Sequence, residues 1–473
     1  MKNPPPLPAR RPSTSSHKTS TLRNRSARLL PLTLLVGAAL LIGPRNHAAV
    51  YNWSGAGSTG NWNESANWGY AGVPNNGDTL IFPARQPGQA NTNNIPNLSV
   101  SQIRFVGAGG GYALWGNSFT LTNSIEATNT AGANTINNAI TLGASPVMVN
   151  VGSATSLTLA GALGGTGGLA KNGAGTLTCS GETANTYSGT TLVNEGTLVL
   201  QKTTNLKSVP GNLVVGDGSG SGVVMLGSNN QIANPADVFI QTGGLLECAG
   251  FYALVNTLHG SGTVNFGAGG SLTIGSSNGT STFDGSMTGI GYAAGDTLRK
   301  MGSGTFTLNG NGTYSAGTTH VSSGKLVVNG SIGRPVTVDN GAGAMLGGNG
   351  TVGNITCNGT VSPGASPGKL SALNVTFSST GRFFIELQGN TVGSGYDQLH
   401  TIGTVNLNTG ATLSAPTVGF LPTDGDQFII ISNSIRAVIG TFDGLAEGAV
   451  VSDNTGKFKF RLSYAGGAAT TWR

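Results

Sequence analysis

The chain has 473 residues, 78 of them Gly, and only 9% are charged. Average soluble proteins carry roughly 25% charged residues and about 7% Gly, and no Gly-X-Y period runs through this chain, so a collagen-like rod is excluded. The formal net charge of +6 is a property of the start of the chain: eight Lys and Arg precede Ala49 with no acidic residue among them, leaving 16 basic and 18 acidic residues after it, so there is no electrostatic footprint for nucleic acid.

Residues 1–49 read as a targeting segment. A polar basic stretch carries Arg10, Arg11, Arg23, Arg25 and Arg28, the apolar run Leu29–Ile42 follows, and the small residues Ala48 and Ala49 come next. That order is the n-region, h-region and cleavage-site pattern of a secretory signal, and the run is short for a membrane-spanning helix. Export is therefore expected, with no stable membrane span once the signal is removed. An uncleaved anchor is the alternative.

Residues 50–83 hold three of the five Trp: Trp53, Trp62 and Trp68. Pro74-Asn75-Asn76-Gly77-Asp78 reads as a turn, and Thr79–Phe82 as the first strand. Two roles compete for the Trp residues. They can close the open end of a stacked core, which every solenoid needs, or they can offer ring faces to a glycan.

Residues 84–163 read as irregular strands separated by Asn-rich turns. Ile103–Val106, Phe119–Leu121, Ile136–Leu142, Val147–Val151 and Leu157–Leu159 alternate apolar and polar residues. From Gly164 to Leu200 the pattern becomes regular. Thr176–Cys179, Thr190–Val193 and Thr197–Leu200 are short alternating strands between Gly, Asn and Ser turns. The block returns at Leu298–Val328. Lys171 aligns with Lys300, Gly173–Thr176 with Gly302–Thr305, Tyr187-Ser188 with Tyr314-Ser315, Gly189-Thr190-Thr191 with Gly317-Thr318-Thr319, and Gly196 and Leu198 with Gly324 and Leu326. One such unit cannot bury its apolar face alone, whereas stacked units share a continuous core. A β-sandwich of similar short strands is the alternative. Between the copies, Leu213–Val215, Val223–Leu226, Val238–Ile240, Thr263–Phe266 and Leu272–Ile274 continue the rhythm. No stretch after residue 49 has helical periodicity.

The pattern L-x-K-x-G-x-G-T-L-T-L followed by Y-S-G-T-T-x-V-x-x-G-T-L-x-L resembles the autotransporter-associated β-strand repeat, also called the passenger-associated transport repeat, of large exported bacterial proteins. The copy at 164–200 fits it closely. The copy at 298–328 departs at His320 and at the extra Ala316. The Trp-rich start, the Leu346-Gly347-Gly348-Asn349-Gly350-Thr351 stretch, Ser362–Leu370 and Gly395–Leu399 also resemble parts of such passengers. The resemblance implies a mainly β, elongated, right-handed parallel β-helix with a Trp-rich N-terminal cap at 50–83. It implies a solenoid body at 84–375 and a C-terminal passenger-like β segment at 376–473, with Phe428–Ile431 and Gly440–Leu445 as late strands. About 424 residues at ~4.8 Å per turn would give a rod of roughly 80–100 Å. Nothing after the last strands has the size of a translocator barrel.

Little in the sequence points to catalysis. His259, His320 and His400 are far apart, and Cys179, Cys248 and Cys357 show no metal-ligand spacing. They read as small buried hydrophobes, with a disulfide between two of them as the alternative. Gly216–Gly220 reads as a surface turn, and Asp397 as part of a structural turn. The densest charged group is Asp284, Asp296, Arg299 and Lys300, for which a solvated loop is the plain reading. The expected function is that of an exported, non-enzymatic structural or adhesive surface protein with no cofactor. Its partners would be surface proteins or extracellular glycans, the latter through Trp53, Trp62 and Trp68. The alternatives are a glycan-binding module and a carbohydrate-active β-helix enzyme, the last of which needs converging carboxylates.

Overall fold

The computed structural model describes residues 48–84, 90–341, 343–407, 410–434, 438–466 and 469–472, all within one compact unit, His47–Arg473. The signal reading for residues 1–49 falls almost wholly outside these residues. Strands pair in parallel with partners one turn away, and three ladders result. The first runs from Val50–Asn52 to Thr412–Leu413, the second from Thr92–Asn93 to Phe428–Asn433, and the third from Tyr252–Val255 to Val438–Ile439. The chain is a parallel β-solenoid of about 14 turns, and at ~4.8 Å per turn its rise is roughly 65–70 Å. That is shorter than the rod expected from length alone. Long connections such as 203–212 and 388–397 lengthen individual turns, and the last residues fold back as the antiparallel pair Lys459–Gly466 and Ala469–Trp472.

The alternating sequence explains the core. In Ser156–Leu159 and Thr305–Leu308 every second residue is buried, because successive side chains point to opposite faces of a strand. Parallel pairing in register then stacks like on like: Leu157, Leu177, Leu198, Val224, Leu246, Val264 and Met287 form one inward column, all completely buried. Each such side chain stabilises the turn by about 1.5–3 kcal/mol. The two copies of the repeat do not lie on the same ladders. Thr176–Gly181 belongs to the second ladder, but its counterpart Thr305–Leu308 belongs to the first.

Two strand expectations need correction. Ile136–Leu142 is not one strand but two, Ala133–Ile136 and Ile140–Leu142. The Asn138 side chain between them donates to the carbonyls of Trp115 and Asn117 one turn back and so fixes a corner. Gly440–Leu445 is not a strand; the late strand there is Val438–Ile439. Among the described residues one 3-10 turn forms, at Ser65–Trp68, ended by Gly69 in the left-handed region. The ladders run through Val375–Phe377 without interruption, pairing it with Ile355–Cys357 on one side and Val405–Asn406 on the other.

The N-terminal end is closed by aromatic rings. Val50–Asn52 adds a strand to Thr79–Ile81, and Trp53, Trp62 and Trp68 fold over Phe82 and Phe105. Trp53 and Trp62 each meet Trp68 edge-on, with ring centroids 5.0 and 6.1 Å apart. Trp62 also lies 6.1 Å from Phe82, which stacks on Phe105.

Candidate functional site

The three Trp residues named as a possible glycan platform come together, but inside. Their exposures are 3%, 0% and 2%. The Trp62 indole N–H donates to Asn91 Oδ1 at 2.6 Å, and the Trp68 indole N–H donates to the Trp62 carbonyl at 2.9 Å. A stacking platform needs an open ring face, and these rings turn theirs to one another and to the core. Burial of all three rings is what a cap requires, whereas a platform at Trp53, Trp62 and Trp68 would need ring faces that this packing covers.

The charged group expected around Asp284 also divides. Lys300 turns inward, and Asp284 accepts from Asn309 Nδ2 elsewhere on the outside. Asp296 and Arg299 stay on the outer face of the third ladder, where stacking adds His320 from the next turn and Asp339 from the one after. Arg299 lies 3.3 Å from Asp296. His320 Nε2 lies 3.6 Å from Asp296, and its Nδ1 lies 3.5 Å from Asp339. Ser322 accepts from Arg299 Nε at 2.9 Å and donates to Asp339 at 3.0 Å. Two carboxylates do converge here, which is the pattern a glycosidase would require. Yet both already have partners: Asp296 is held by Arg299 and Thr318, and Asp339 by Ser322. The group is a solvated network spanning three turns, each exposed pair contributing about 0–1 kcal/mol. Among the described residues no group of three or more His, Cys, Asp or Glu is placed to hold a metal ion.

The repeat itself contains side chains whose role the alignment did not show. Lys171 is fully buried, and its Nζ donates to the carbonyls of Asn172 (3.1 Å), Gly173 (2.5 Å) and Glu195 (3.0 Å). Lys300 does the same with Met301 (2.7 Å), Gly302 (2.9 Å) and Ser323 (3.2 Å). In each copy one ammonium closes its own turn and the turn stacked on it. Burial pulls both down to about 8; for Lys171, nearby Glu195 opposes the shift. The carbonyl cage is what makes a buried ammonium tolerable. Gly196 and Gly324 complete the cage. Both have positive φ, and a Cβ on Gly324 would sit 2.3 Å from the Gly302 carbonyl and 2.8 Å from Lys300 Nζ. The signal was present in the sequence: Lys171 lies two residues after the inward Leu169, so alternation points it inward too.

The shared Tyr follows the same logic. Tyr187 is buried with its hydroxyl 2.6 Å from Thr191 Oγ1, and buried Tyr314 makes the same bond to Thr319. Asp397 is fully buried and accepts from the backbone N–H of Gly368 (2.7 Å) and Glu386 (2.9 Å). Burial pushes its carboxyl up to about 7, against the pull of the two amides. It fastens the Ser362–Leu370 stretch to the next turn. Cys179, Cys248 and Cys357 are buried, as expected, and free, and burial raises their thiols to about 11, 12 and 12. Gly216–Gly220 is a surface turn held by Asp217, which accepts from the N–H of Ser219 and Gly220.

Comparison with known proteins agrees with this geometry. Residues 169–200 and 298–328 match the family Passenger-associated-transport-repeat. A stretch of 178 residues is 35% identical to the Adhesin BmaC autotransporter of Brucella suis biovar 1 (strain 1330). That stretch is 37% of this chain and 4% of the adhesin, so the chain spans a small fraction of the relative's length.

Proposed function

We propose that this chain, a repeat protein of the autotransporter passenger type, is exported and acts at the cell surface as a non-enzymatic display and adhesion rod. One observation carries the reading: parts of the outer faces are rows of short uncharged polar side chains spaced one turn apart, while the two buried lysines of the repeats, Lys171 and Lys300, are committed to holding turns together. Ser156, Thr176 and Thr197 stack outward on the second ladder, and Thr337, Thr356 and Thr376 on the third. Such rows give repeated low-charge contact area, which suits surface-to-surface binding. The similarity to an adhesin supports the same reading. The enzymatic alternative would rest on Asp296 and Asp339, whose carboxylates are already occupied, and the glycan alternative on Trp rings that are covered.

Beads coated with residues 50–473 test the proposal. Adhesion to surfaces coated with extracellular-matrix proteins, above that of albumin-coated beads and lost after heat unfolding, is expected. Adhesion no greater than albumin's on every surface would overturn it.

A further inference from the structure

The two copies of the repeat differ at one corner. In the first, Ser208-Val209-Pro210 follows the last repeat strand, and the Ala233 N–H of the next turn donates to the Val209 carbonyl at 2.9 Å. In the second, Ser331-Ile332-Gly333 takes that place, and the Gly353 N–H donates to the Ile332 carbonyl at the same 2.9 Å. Pro210 and Ala233 are thus replaced by Gly333 and Gly353. The result is a groove of about 370 Å³ running past Thr313, buried Tyr314, Gly333 and Gly353 to Leu373. Gly353 is required by the backbone, since a Cβ there would sit 2.6 Å from the Arg334 carbonyl. Gly333 is not: its φ is ordinary, and a Cβ there would meet nothing within 4 Å. Nothing in the fold demands this glycine, and what it creates is open space.

The groove is apolar with a single charge at its rim. Leu373 is 47% exposed at one end, Ile332 and Val352 lie beneath, and Arg334 stands beside Gly333. Arg334 Nε donates to the Gly317 carbonyl, but no carboxylate among the described residues lies within ion-pair distance of it. An apolar floor with one unneutralised guanidinium selects a partner that brings both an apolar side chain and a carboxylate.

We propose that this groove receives an extended acidic and apolar peptide segment of a partner protein, with a bulky apolar side chain over Gly333 and a Glu or Asp carboxylate against Arg334. The proposal rests on the adhesive reading and names the partner chemistry for this face. A fluorescein-labelled Gly-Leu-Phe-Glu-Leu-Gly peptide is the probe, read by fluorescence anisotropy against residues 50–473. A peptide with Lys in place of Glu is the control. Saturable binding of the acidic peptide alone is expected, weakened by salt. Gly333→Leu fills the groove and Arg334→Gln removes the charge, and each should weaken binding by roughly tenfold or more. Thermal melting checks that Gly333→Leu folds, and if it does not, Arg334→Gln decides. Equal binding of both peptides, binding of neither, or unchanged binding by a folded Gly333→Leu variant would each sink the proposal. Bead adhesion is measured on the same variants: adhesion that persists while the peptide fails to bind removes the groove but not the adhesive role.

Discussion

Replacing Lys171 by Met removes one ammonium and keeps most of the side-chain volume. Three carbonyls, of Asn172, Gly173 and Glu195, lose their donor. Charge-assisted hydrogen bonds contribute about 1.5–3 kcal/mol each. Two effects offset that loss: the buried ammonium no longer has to be desolvated, and the carbonyl of exposed Glu195 can turn to water. The net destabilisation is therefore on the order of 2–4 kcal/mol. Because a solenoid couples mainly nearest neighbours, the loss should be local. Urea unfolding gives its size, and amide hydrogen exchange gives its place: protection should fall in the 172–176 and 194–198 turns and hold at the second copy. Lys325, half-buried on an outer face, is the control, and its Met variant should change stability by less than about 0.5 kcal/mol. If Lys171→Met proves as stable as the parent, the cage is no keystone and the reasoning fails.

Further outcomes follow from the same geometry. Tyr187→Phe and Tyr314→Phe each strand a buried Thr hydroxyl and should cost about 1–2 kcal/mol, additively because the sites are far apart, as measured by denaturant midpoints. Trp62→Ala should cost about 3–5 kcal/mol and move the tryptophan fluorescence to the red as the cap opens. Burial holds the Asp397 carboxyl up at about 7, against its ordinary value of 3.8. The native state therefore holds more protons between about pH 4 and 7, and stability should fall as pH rises through that window, by on the order of 2–4 kcal/mol. Thermal melts across the window should show this slope in the parent and not in Asp397→Asn. The three thiols should resist a disulfide reagent at pH 8 in the native state and react on unfolding; prompt reaction of any one would contradict their burial.

Much of the fold was legible because alternation and Gly turns state it twice. Thr176-Leu177-Thr178-Cys179 alternates, and its copy Thr305-Phe306-Thr307-Leu308 alternates in the same phase. Ile136–Leu142 misled because its apolar residues alternate across Asn137-Asn138, and only the carbonyls of the previous turn reveal that Asn138 is a corner. Lys171 and Lys300 stood at inward positions, but a charge there reads as an outward residue until a cage of carbonyls is seen around it. The Trp residues announced a cap. Whether their faces would be open depended on how Val50–Asn52 folds back onto Thr79–Ile81, a contact no local pattern encodes. The group of Asp296, His320 and Asp339 was invisible for a related reason. Its members lie on three successive turns, and their register depends on the length of each turn between them.

The most direct test of the central claim is binding and turnover measured together on residues 50–473. The chain is titrated against immobilised extracellular-matrix proteins and incubated in parallel with a panel of polysaccharides while product release is followed. The account predicts saturable binding to at least one matrix protein and no product from any polysaccharide. Product release that disappears in Asp296→Asn or Asp339→Asn, with no saturable binding, would contradict it.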